Sequence, residues 1–84
     1  MANEVRHLPF SEAFDAVSGR WCVVGKDVAG EDFGIGVGRT MEAARRRLRD
    51  WVEEVLALDG GRAWADLRAG AGAGEVLVFK RSVH

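Results

Sequence analysis

At 84 residues, with 48% apolar and 30% charged side chains, the chain has room for one small domain, expected to span 1–84, and its composition is that of a folded protein rather than a disordered one. A formal net charge of −1 excludes the broad basic footprint of a general nucleic-acid binder, and a single cysteine, Cys22, excludes an intrachain disulfide. No apolar run approaches the roughly 18–20 residues of a membrane-spanning helix, and the N-terminus carries no signal-peptide core, so a cytoplasmic protein without membrane contact is expected.

The first strand-like text is "FDAVSGRW", which can run as a strand into a Ser18–Gly19 turn. A helical alternative, "SEAFDAV" with Ser11 as N-cap and Phe10, Phe14 and Val17 on one face, is equally compatible with local signals. Next come "GRWCVVG", a β-prone run, and "DFGIGVG", whose Phe33, Ile35 and Val37 alternate with Gly34, Gly36 and Gly38. The polar stretch "KDVAGED" between them suits a hairpin connection. The alternating glycines bare one face of the strand, so that another backbone can approach it.

Residues 41–58 carry the strongest periodicity. Met41, Ala44, Leu48, Trp51, Val55 and Leu58 recur at spacings of three and four, with Val52 and Leu56 widening the stripe. Thr40 is the expected N-cap and Gly60–Gly61 the stop. Burial of Leu48, Trp51 and Val55, at roughly 1.5–3 kcal/mol each, outweighs the pairs Arg46–Asp50, Arg49–Glu53 and Glu42–Arg46, at roughly 0.2–0.5 kcal/mol each. Beyond the helix, "RAWADLRA" is compatible with helix or strand, "AGAGAG" at 69–74 reads as a mobile loop, and "EVLVFKR" reads as a strand. The expected class is α+β, in β-β-β-α-β order: a small antiparallel sheet with one long helix, about 41–58, packed on one face.

Little in the chain suggests catalysis, so no catalytic residue, cofactor or metal is expected. "GIGVG" fails the dinucleotide pattern because Met41 stands where its last glycine belongs, and there is no phosphate-binding Gly-Lys-Ser/Thr. His7 and His84 lie at opposite ends, and no Cys or His pair has metal-ligand spacing. Cys22 reads as a small core residue. Asp27, Glu31 and Asp32 form an acidic hairpin loop, and Trp64 is the tryptophan freest to serve an interface. Arg45, Arg46, Arg47 and Arg49 form a half-helix basic patch that an alternative, nucleic-acid-binding reading would place against phosphates. The charge is uneven: residues 1–42 carry four basic and seven acidic side chains (net −3), and residues 43–84 carry eight and six (net +2).

The stretches "AVSGRWCVV" and "GRTMEAARRRLRDWVEEVLAL" resemble the HicB family, in particular the short HicB-like antitoxins of type II toxin–antitoxin pairs, over about residues 13–61. The resemblance implies a degenerate RNase H-like fold without nuclease activity, in a protein that binds and masks a small, basic HicA-type ribonuclease toxin. Many members add a C-terminal DNA-binding domain. Residues 62–84 do not make one, which speaks against DNA repression by this chain. A departure from the family pattern is the missing Pro-Gly before the Thr-containing stretch, since the sole proline is Pro9. If acidic residues do the masking, Asp27, Glu31 and Asp32 are the contacts to expect. A homodimer is also expected, with sheet-edge pairing into a structural homodimer as one route.

Overall fold

The computed structural model describes residues 4–68 and 75–80. Three strands, β1 (Glu4–Asp15), β2 (Arg20–Lys26) and β3 (Asp32–Gly38), precede helix α1 (Met41–Leu58). A 3-10 turn (Arg62–Asp66) and strand β4 (Glu75–Lys80) follow. All neighbours pair antiparallel, in the order β3-β2-β1-β4. The α+β class and the single helix on one face of an antiparallel sheet are therefore as the periodicity indicates. The stretch 69–74, expected as a mobile loop, and His84 lie outside the described residues.

Two local ambiguities are resolved. "SEAFDAV" is not helical; it completes a long β1 and enters the turn at Asp15, whose carboxylate accepts the Val17 N–H and the Ser18 hydroxyl. The Ser18 hydrogen bond, then that of Val17, holds the Asp15 carboxyl below its ordinary value. Within "RAWADLRA", Arg62–Asp66 forms a 3-10 turn because the Asp59 carboxylate collects the N–H groups of Gly61 and Ala63, at 2.9 and 2.8 Å. Gly60 and Gly61, at φ 70° and 86°, supply the left-handed backbone that ends α1. Arg68 then exchanges backbone hydrogen bonds with His7, extending the sheet by a bridge.

Helix α1 begins as expected, with the Thr40 hydroxyl accepting the Ala43 N–H at 3.1 Å. Its buried line is narrower than the sequence stripe: Ala44, Leu48 and Val52 are fully buried, while Trp51 and Leu58 turn toward the flank and are 41% and 82% exposed. The expected core contribution of Trp51 is corrected accordingly. A spacing of four drifts slowly around the helix, so Ala44–Leu48–Val52 keeps facing the sheet where Trp51 and Leu58 do not.

The helix lies over the outermost strand because β3 is bare on that side. A Cβ on Gly36 would collide with the Ala44 carbonyl oxygen and stand 2.6 Å from the Leu48 nitrogen; one on Gly38 would stand 2.7 Å from the Ala44 nitrogen. At Gly34 the Trp51 ring fills the space, 2.6 Å from where a Cβ would sit. The core is completed by Leu8, Val23, Val78, Trp64 and Leu67, with Phe10, Trp21, Phe33 and Leu56 at its border.

Strand β1 is shared by two ladders. Glu4–Pro9 pair with β4, and Phe10–Asp15 pair with β2. The β4 ladder closes the longest loop of the sheet, which makes it the most expensive pairing entropically. Native-state hydrogen exchange is therefore expected to release the β4 amides at lower free energy than those of β2; equal protection across both ladders would contradict this.

Candidate functional site

The acidic residues expected to meet a partner are gathered at one end of the molecule by the β2–β3 turn. Asp27 organises that turn: its carboxylate accepts the N–H groups of Ala29 and Glu31, both at 2.9 Å. Its own N–H donates to the Glu31 carbonyl, and its carbonyl accepts the Gly30 N–H. Gly30, at φ 80°, permits the tight return. Val28 N–H donates to the Asp66 carbonyl at 2.9 Å, which ties the turn to the 3-10 segment. Asp32 pairs with Lys26, while Glu31 and Val28 project into solvent. Beside the turn, Phe33 meets Trp51 edge to face, with ring centres 6.3 Å apart. The sheet register shifts at Gly25–Lys26, next to this pair.

The arginine cluster does not act as one patch. Arg45 leans over the sheet, where its Nη2 donates to Glu12 Oε2 at 3.1 Å and its guanidinium lies 4.8 Å from the centre of the Phe10 ring. Its Nε is buried with no hydrogen-bond partner among the described residues. Arg49 contacts the adjacent Asp50 at 3.4 Å. Arg46 and Arg47 are exposed. The i,i+4 pairs expected at Arg46–Asp50, Arg49–Glu53 and Glu42–Arg46 are absent among the described residues. Exposed pairs of that kind gain little and cost side-chain entropy.

Trp64 is the clearest correction. It is 5% exposed and packs in the core with Leu67. The Arg6 guanidinium lies 5.5 Å from its ring centre, and Arg6 Nη1 donates to the Leu67 carbonyl at 3.2 Å. The tryptophan left open to a partner is Trp51. It was missed because its place on the helix stripe reads as core; the ring covers Gly34 at the edge of the sheet, where one side of it stays open to solvent.

Cys22 is half-buried rather than a core residue, because it sits on the sheet face opposite the helix. Among the described residues, no group of three or more His, Cys, Asp or Glu side chains is placed to hold a metal ion, and no helix is long and apolar enough to cross a membrane. Compared with protein-family models, curated proteins and solved structures, the chain matches none.

Proposed function

We propose that this domain is a non-enzymatic, HicB-like antitoxin that binds and masks a small, basic, HicA-type ribonuclease toxin. The observation that carries the reading is the acidic β2–β3 turn, held rigid by Asp27, with Glu31 and Val28 exposed and the Phe33–Trp51 pair beside it. A pre-organised loop loses little entropy on binding, its carboxylates steer a cationic partner, and a half-exposed tryptophan is the side chain most enriched at binding hot spots. The sequence resemblance supplies the partner class. The arginine patch supports nucleic-acid binding less well, since Arg45 is already engaged by Glu12 and Phe10.

Co-expression with the adjacent gene is the test. Its product is expected to be a small basic protein that co-purifies with this chain, and Glu31→Arg is expected to slow association and flatten its salt dependence. Trp51→Ala is expected to speed dissociation. A neighbour that is neither basic nor bound removes the antitoxin reading.

A further inference from the structure

The helix covers one face of the sheet, and the opposite face is built as if for a second layer. Strand pairing sets its side chains in rows: Ser11–Val24–Ile35 and Ala13–Cys22–Val37. None of these is fully buried, and Ile35 is 55% exposed. An antiparallel sheet with one solvated face ordinarily alternates apolar and polar positions. Here β3 does the reverse, giving glycine to the helix side and Ile35 and Val37 to the outside. Ser11, Ala13 and Ile35 are exposed, and Cys22, Val24 and Val37 are only partly buried. Apolar rows left in water on so small a domain mark a contact surface.

The charges around the block indicate what covers it. One end is bounded by Asp15 opposite Arg20 and the other by Lys26 opposite Asp32. Each of these two rows holds one acid and one base, so the borders of the block offer no steering to a strongly cationic or anionic partner. Asp32 is already paired with Lys26 and the Asp15 carboxylate serves its own turn, so two copies can meet across this block without like-charge repulsion, as an isologous two-fold contact requires. A domain of this size also gains from oligomerisation, because one small core supplies little stability.

We propose that this face docks a second copy of the chain, giving a dimer in which two sheets pack face to face and the two helices lie outermost. The contact adjoins the acidic turn at Lys26–Asp32 but is centred on other residues, and its test stands independently of the antitoxin reading. Ile35, Val24, Val37 and Cys22 form its centre. Sheets packed this way lie about 10 Å apart, too far for a direct Cys22–Cys22 disulfide and within reach of a short bismaleimide.

Sedimentation of the full chain at micromolar concentration tests it. The expected result is a dimer mass that falls by half in Ile35→Glu, with the far-ultraviolet dichroism unchanged, because Ile35 is exposed in the single copy. Ala13→Arg, at an exposed position of the same block, is the second variant should Ile35→Glu fail to fold. A short bismaleimide is expected to link two copies through Cys22 in the parent and not in Ala13→Arg. A monomer at every concentration, or a dimer that survives Ala13→Arg, overturns the proposal.

Discussion

Gly36→Ala is expected to abolish stable folding, or to lower stability by about 3 kcal/mol or more, beyond the usual range for added methyl groups in a core. The reason is what the methyl group meets: the Ala44 carbonyl and the Leu48 nitrogen of the helix backbone, not the end of a side chain that could swing away. The helix would have to lift from β3, taking Leu48 and Val52 out of the core. Gly30 gives the contrast, since no atom lies within 4 Å of a Cβ placed there and only its positive φ resists substitution. Gly30→Ala is therefore expected to cost about 1 kcal/mol. Urea denaturation of the two variants side by side checks the argument, and comparable losses would sink it.

Trp64→Ala is expected to cost about 3–5 kcal/mol, the range for emptying a buried aromatic site. Two terms act together: the vacated volume beside Leu67, and the loss of the ring beneath the Arg6 guanidinium, a contact of about 0.5–2 kcal/mol. Trp51→Ala leaves a partly solvated site and is expected to cost clearly less, with its effect appearing in partner binding. Thermal unfolding of both variants decides between them. A larger loss at Trp51 would mean that the two tryptophans have been assigned the wrong way round.

These two sites mark where the fold was legible in the sequence and where it was not. The bounds of α1, its Thr40 cap and its double-glycine stop follow from local chemistry, and all three hold. The alternating glycines of β3 also foretell a close backbone neighbour, which proves to be the helix. Trp64 was misread because its burial depends on Arg6 and Leu67, which are brought to it by tertiary structure and carry no local signal. The expected i,i+4 charge pairs are absent among the described residues because exposed pairs gain little over solvation, with Arg49 meeting the adjacent Asp50 instead; the Arg45–Glu12 pair joins α1 to β1, which helix spacing cannot indicate. At the candidate site, the acidic cluster was visible as composition, whereas the turn-forming role of Asp27 and the pairing of Asp32 with Lys26 separate its three carboxylates into different jobs.

The bare side of β3 has a consequence for solubility as well. An outermost strand without proline, and without charge between Asp32 and Arg39, is the kind of segment that templates fibrils. Fibril growth needs side chains that interdigitate in dry layers between stacked sheets. Gly34, Gly36 and Gly38 leave one side of this ribbon with nothing to interdigitate. The same three residues that seat the helix thus deny the strand a zipper on that side, so that even when the helix is loosened, β3 is a poor seed for amyloid.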